Sequence, residues 1–270
     1  MSPVDLRARH HAALETIVLF DYRLTCRTGL HIGAGKSADL AGSDLPVLRD
    51  AKGQPLVPGS SLRGILRSGV ESFCKALDLD AVLQHDTGQT DEAEAVSAAF
   101  ATGWRGLKLA ERLFGAAADK PGGFSYGSRL QISDALACDD VAVELRDGVG
   151  IDRDTRTAAG GVKFDLEVVP AGTAFDGHVR FKNPAGHEIG LLAQALWMLD
   201  QGLLLLGGKS ARGLGWMQVE VTAPRRLDAE TILKRVPRAA ASGFGTVEDH
   251  LGDELAALQE LAEQAAAARA

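Results

Sequence analysis

Between an alternating apolar segment and an amphipathic one lies a polar stretch far longer than a connection requires. From Leu14 to Arg27 the chain alternates. Val18, Phe20, Tyr22, Leu24 and Cys26 share one face, and Asp21, Arg23, Thr25 and Arg27 the other, the period-2 pattern of a half-buried strand. After Pro58 the period becomes helical, with Leu62, Ile65, Leu66, Val70, Phe73 and Leu77 in one stripe. Residues 29–59 hold a Gly-rich turn, an acidic elbow at Gly42–Val47 and the helix start Pro58-Gly59-Ser60-Ser61. A strand and a helix flanking such a loop define an α+β unit, and long ordered loops in such units are where function concentrates.

The remaining elements extend that unit. Residues 78–127 are acidic and then Gly-rich and read as an insertion, with helical pieces near Glu92–Ala101 and Leu107–Phe114. A strand is expected at Arg129–Ser133, and Val141–Leu145 alternates as if continuing the same sheet. Residues 146–163 are polar and Gly-rich between strand patterns and predict a protruding hairpin. Phe164 to Val168 and Phe175 to Phe181 alternate, His187–Gly202 is helical, and Trp216–Val221 reads as a last strand. Short and long helices follow at Asp228–Val236 and Val247–Ala268. Without the inserts the order is strand, helix, strand, strand, helix, strand, the ferredoxin-like βαββαβ order. The expected division is one domain at 14–225, with insertions near 29–59, 78–127 and 146–163, and a helical extension at 226–270.

The net charge of −7 argues against a nucleic-acid partner until its distribution is read. Residues 1–77 carry +3, residues 101–227 balance, and the acidity falls on 78–100 (−6) and 228–270 (−4). The Gly-rich loops are locally basic, as phosphate binding requires. No run of about 18 apolar residues is present to cross a membrane, and the first residues lack a signal-peptide core. Cys26, Cys74 and Cys138 show no ligand spacing and read as buried free thiols in a reducing cytoplasm.

Two Gly-Lys-Ser triplets imitate a nucleotide-binding P-loop, but the register fails at both. The leading glycine would fall at Leu30 in one and Leu203 in the other, and the second triplet precedes a strand, whereas a P-loop opens a helix. A nucleotide-binding enzyme is therefore the weaker alternative. As anion contacts the same loops make sense, because glycine lets backbone N–H groups approach phosphate while Lys36, Lys209, Ser210 and Arg212 supply donors. Ser60 and Ser61 read as helix caps and, with Arg63 and Arg67 one turn apart, as a phosphate seat. Asp44 by itself reads as a turn former, and His31 as core or as an RNA contact.

Taken in order, Gly29-Leu30-His31-Ile32-Gly33, Asp44-Leu45-Pro46-Val47 and Val57-Pro58-Gly59-Ser60-Ser61-Leu62-Arg63-Gly64 resemble the RAMP superfamily of CRISPR-associated proteins, specifically the backbone subunits of type III effector complexes. Leu113-Phe114-Gly115, Ser128-Arg129-Leu130, Gly150-Ile151-Asp152-Arg153, Glu167-Val168-Val169-Pro170-Ala171-Gly172 and Gly207-Gly208-Lys209-Ser210-Ala211-Arg212-Gly213 extend the resemblance over roughly residues 16–222.

The resemblance implies an RNA-recognition-like core that stacks along a CRISPR RNA with other effector subunits and copies of itself. It implies a thumb hairpin, best placed at Val149–Val162, that interrupts the guide–target duplex. It also implies a loop carboxylate, Asp44 by position, that cuts target RNA with Mg²⁺ or another divalent cation, Asp44 being the metal-binding candidate. RNA contacts are then expected at His31, Lys36, Ser60, Ser61, Arg63, Arg67, Arg153, Arg156, Lys209, Ser210 and Arg212. Some members of the superfamily are silent scaffolds, so a non-catalytic RNA-binding subunit is the second reading.

Overall fold

The computed structural model describes residues 14–35, 43–80, 103–104, 106–118, 120, 123–235 and 243–269. The predicted first strand, β1 (Thr16–Cys26), lies inside a seven-stranded antiparallel sheet, paired along both edges. Short β2 (Leu56–Val57), β3 (Leu130–Ile132) and β4 (Ala135–Ala137) form one side of it. β7 (Ala174–Lys182) runs along the whole of β1, setting Val18 opposite Phe181, Phe20 opposite Val179 and Leu24 opposite Phe175. The other edge of β1 is shared between β8 (Met217–Val221) and β9 (Arg225–Asp228). Because cross-strand partners point to one face, the even-numbered residues of β1 and the odd-numbered residues of β7 make one continuous apolar surface.

Helices cover that surface. α1 (Gly59–Leu77) buries Leu62, Leu66 and Val70 of the predicted stripe and Cys74 beside them, while Ile65, Phe73 and Leu77 are partly buried against the same core. α2 is the single short turn Leu109–Phe114. α3 (Gly186–Asp200) is buried on most sides, because the sheet lies beneath it and α5 (Val247–Arg269) lies across it. That crossing is close: a Cβ at Gly190 would sit 2.2 Å from the carbonyl oxygen of Glu254. Val247, Leu251, Leu258 and Leu261 of α5 join the same core as β1, and β9 straddles the expected boundary at 225–226. The tail residues are therefore part of this packing. α4 is Ala229–Leu233, shorter than the helix expected there.

A buried ion pair ties this assembly to the central insertion. Arg129 and Glu188 meet with side chains 1% and 2% exposed. The Arg129 guanidinium also donates to the Asn183 carbonyl at 2.6 Å and lies 5.5 Å from the Trp104 ring.

β5 (Glu144–Ile151) and β6 (Ala158–Val168) form a separate two-stranded ribbon, the hairpin that the Gly-rich polar stretch predicts. Its turn is pinned by Asp152, whose Oδ1 accepts from the Asp154 and Thr155 N–H groups at 3.0 and 2.8 Å. Here one expectation is corrected. Val141–Leu145 does not continue the main sheet: the Val141 N–H donates to the Gln54 side chain at 2.8 Å, and from Glu144 onward the chain pairs only with β6. Strand alternation fixes which face is buried but not which neighbour is paired.

The thiols divide differently from the expectation. Cys26 and Cys74 are buried, and burial pushes both up to about 12, whereas Cys138 is exposed. Among the described residues no helix is long and apolar enough to cross a membrane. The helical piece expected near Glu92–Ala101 lies outside the described residues.

Candidate nucleic-acid interface

The loop that carries Asp44 is fastened to the hairpin by a single parallel bridge. Leu45 bridges Leu166 in parallel. Its N–H donates to the Asp165 carbonyl and its carbonyl accepts from the Glu167 N–H, each at 3.1 Å. The Ser43 hydroxyl donates to the same Asp165 carbonyl at 3.1 Å. Leu45 then packs with Phe164, Leu166, Val168 and Leu214 in a small apolar cluster. With Leu45 committed to that face, alternation turns Asp44 to the opposite one.

On that opposite face the carboxylates gather. Asp44 Oδ2 accepts from the Asp165 N–H at 3.0 Å, and Asp165 stands directly across from Asp147 in the hairpin register. A hydrogen bond to Asp147 raises the Asp165 carboxyl above the usual range, and the charges of Asp147 and Asp44 add to the effect. Asp147 is held low, first by its hydrogen bond to Lys163, whose Nζ lies 3.2 Å from Asp147 Oδ2. Such a row resists the approach of a phosphate unless a cation accompanies it.

The second Gly-rich loop meets the hairpin through Phe164. Lys209 Nζ and the Arg212 guanidinium lie 5.8 and 5.2 Å from its ring, within cation–π range. The loop folds as a 3₁₀ turn at Ser210–Arg212 entered through Lys209 at φ +63°, and Ser210 and Arg212 are exposed. The two Gly-rich segments also touch. The Gly208 N–H donates to the His31 carbonyl at 2.8 Å and the Gly215 N–H to the Gly29 carbonyl at 2.9 Å. A Cβ at Gly207 would sit 2.5 Å from that His31 oxygen, at a φ of +83°, so only glycine fits there.

The other expected contacts are placed as follows. His31 is only 5% exposed, with Nδ1 2.9 Å from the Glu167 carbonyl; its ring is a post between loops, not a surface group. The Ser60 and Ser61 hydroxyls do not cap α1. The N-cap is Pro58, and the Gly59 N–H donates to Asp134 Oδ1 at 2.8 Å, so a carboxylate already lies at the helix start where an anion was expected. Arg63 donates to the Phe114 carbonyl, and Arg67 to Glu71 at 2.7 Å and the Gly115 carbonyl at 3.2 Å. These arginines clamp the end of α2. Arg153 and Arg156 are exposed in the hairpin turn, Arg156 at φ +56°. Lys36 lies outside the described residues.

No motif in the sequence marks Asp147, Lys163 or Asp165. The alternation of Asp165 and Glu167 with Phe164, Leu166 and Val168 was a usable signal for one of them, but the partnership with Asp147 exists only in the hairpin register. Among the described residues no group of three or more His, Cys, Asp or Glu side chains is arranged to hold a metal ion by itself.

Sheet, covering helices and gathered loops define an α+β protein that presents a carboxylate row and a basic Gly-rich loop at one hairpin root. The chain belongs to the RAMP superfamily, whose sequence profile matches residues 23–218. A 61-residue stretch is 48% identical to the CRISPR system Cms endoribonuclease Csm3 of Methanothermobacter thermautotrophicus, covering 22% of this chain and 23% of that relative. An 82-residue stretch is 37% identical to the protein of the same name from Methanocaldococcus jannaschii, covering 29% and 33%. The matched stretches thus span well under two thirds of either relative's length.

Proposed function

We propose that this chain is an RNA-binding backbone subunit of a type III CRISPR effector and that it cuts target RNA through Asp44. On this reading the core is the ferredoxin-like βαββαβ unit, formed by β1, α1, β3 with β4, β7, α3 and β8. The support is the spatial order β8, β1, β7, then β3 and β4, all antiparallel. The β5–β6 hairpin is the thumb. CRISPR RNA, target RNA, other effector subunits and further copies of the chain are the partners, in the cytoplasm.

One observation carries the catalytic part: Asp44 is fastened to the hairpin strand itself, by the Leu45–Leu166 bridge and the Asp165 N–H. A hairpin that splays a nucleotide therefore delivers it beside a fixed carboxylate. RNA brings its own nucleophile, the 2′-OH. The protein's work is to hold the 2′-oxygen, the phosphorus and the departing 5′-oxygen in line and to offer a carboxylate that accepts the proton. Sequence choice is left to base pairing while the protein reads the backbone.

The donor set suits a hard divalent cation. Mg²⁺ is commonly held by one or two carboxylates together with substrate phosphates, and Asp44 with its neighbour Asp165 matches that demand without a closed protein cage. Such an ion would supply charge neutralisation for phosphate beside the carboxylate row. The expected result, in an effector reconstituted with guide and labelled target, is cutting with Mg²⁺ that is lost in EDTA while the target stays bound. Cutting that persists in EDTA removes the cation from this reading.

The scaffold reading takes the same hydrogen bond in the other sense: Asp44 Oδ2 already serves the Asp165 N–H. A bound duplex left uncut with every divalent ion tested is its signature. The nucleotide-enzyme reading loses support, since Gly208-Lys209-Ser210 opens a three-residue turn rather than a helix.

Lys209 and Arg212 are the phosphate-binding side chains best supported by geometry. Lys209→Ala and Arg212→Ala are expected to weaken RNA binding equally across sequences. Each is also expected to lower the log–log salt slope by about one for every phosphate it no longer neutralises. Filter binding across a salt series measures this, and an unchanged slope assigns the loop to another role.

A further inference from the structure

Glu167 is a half-buried carboxylate, its side chain 17% exposed, and its backbone N–H, its carbonyl and one carboxylate oxygen all serve the loops around Asp44. Its N–H donates to the Leu45 carbonyl at 3.1 Å. Its carbonyl lies 2.9 Å from His31 Nδ1. Its Oε2 accepts from the Val47 N–H at 2.9 Å and from Arg49 Nη2 at 3.1 Å, and Arg49 Nη1 donates onward to the Gly53 carbonyl at 2.9 Å.

The arrangement extends the attachment of the Asp44 loop beyond one bridge. Alternate residues of an extended segment face alternate neighbours: Leu45 bonds β6, and the Pro46 carbonyl turns away to accept from the Ala34 N–H at 3.0 Å. The next N–H on the β6 side, that of Val47, is taken by the Glu167 carboxylate. A charged side chain thus supplies the second hold on this segment, and hydrogen bonds to an ionised acceptor are shorter and stronger than neutral ones. Glu167 holds the segment at Leu45 and at Val47, one and three residues beyond Asp44. His31 extends the connection, because its own carbonyl accepts from Gly208 next to Lys209. One residue of β6 therefore sets the Asp44 loop against the hairpin and, through His31, against the basic loop.

We infer that Glu167 is a positioning residue for Asp44, fixing the reach and angle of that carboxylate toward RNA bound at the hairpin. This rests on the reading of Asp44 as the cutting group. The chemistry needs in-line geometry, and misplacement by about 1 Å costs roughly 100-fold in rate. Glu167 touches no RNA in this scheme, so its loss falls on the rate and not on affinity.

The test is single-turnover target cleavage by the assembled complex carrying Glu167→Ala, Glu167→Gln or Asp44→Ala, with target affinity measured on the same preparations. For Glu167→Ala a fall of roughly 10–100-fold in cleavage rate is expected, with affinity within about 2-fold. Glu167→Gln keeps an acceptor for the Val47 N–H but loses the charge facing Arg49, and is expected to be intermediate. Wild-type rates in both Glu167 variants overturn the inference. So does a loss of affinity that matches the loss of rate, which is the mark of a merely structural role. If Glu167→Ala does not assemble, Glu167→Gln decides by the same two measurements. Asp44→Ala separates the two claims: cutting that survives it overturns the assignment of Asp44, whereas cutting abolished by it alone, with Glu167→Ala at the wild-type rate, overturns only the role of Glu167.

Discussion

Asp44→Ala is expected to lower target-RNA cleavage by about 10²–10⁴-fold, the range for removing a positioned acid–base group, while the subunit still assembles and binds target. The structure explains why binding survives. The loop keeps its backbone bonds from Leu45 to Asp165 and from Glu167 to Leu45, the Ser43 hydroxyl bond and the apolar cluster around Leu45. Only the bond from the Asp165 N–H to Asp44 Oδ2 is removed. Asp44→Asn refines the measurement, since it keeps an oxygen for that N–H and removes the charge. If charge and proton transfer matter, Asn is as inactive as Ala. Wild-type cutting by the Asn variant would assign Asp44 to holding the hairpin strand alone.

The largest stability effect is expected at Glu188. Leaving Arg129 buried without its partner costs about 3–5 kcal/mol by the general behaviour of broken buried pairs. A loss of that size lowers the melting temperature by on the order of 10 °C in a domain of this size. Glu188 has a second task, because its Oε2 accepts from the Ala185 N–H at 2.8 Å at the start of α3. Glu188→Gln preserves an acceptor there and isolates the ion pair, so it is expected to show most of the loss seen in Glu188→Ala. Denaturant midpoints at constant slope measure the difference. A loss below about 1 kcal/mol, the ordinary worth of an exposed pair, would show that the guanidinium is satisfied by its carbonyl and ring contacts alone.

Both predictions depend on partners that periodicity does not reveal. The alternation from Leu14 to Arg27 was enough to place β1, and the stripe from Leu62 to Leu77 enough to place α1, because each pattern reports which side of one element is buried. The hairpin was legible because Gly-rich polar sequence between strand patterns has few other outcomes. Ser60 and Ser61 read as caps from local chemistry, yet the structure brings Asp134 from a distant turn to the Gly59 N–H, and a long-range partner displaced the local one. His31 illustrates the reverse case: its identity left core and contact open, and burial against Glu167 decided it. β9 carries no strand signal, because Arg225-Arg226-Leu227-Asp228 has no apolar alternation and its pairing with β1 is set by tertiary position.

The sequence by itself determined the placement of β1, α1 and the hairpin, the failure of the P-loop register at Leu30 and Leu203, the basic character of the Gly-rich loops and the resemblance that singled out Asp44. These are properties of single residues and short periods, and they survive without a fold. Only the tertiary structure decided that the Asp44 loop bridges the hairpin at Leu45 and Leu166, that Asp44 accepts from the Asp165 N–H, and that the Glu167 carboxylate takes the Val47 N–H. Those relations join residues more than 100 positions apart. Chain closure brings them together, and no local pattern encodes which residue will be the neighbour.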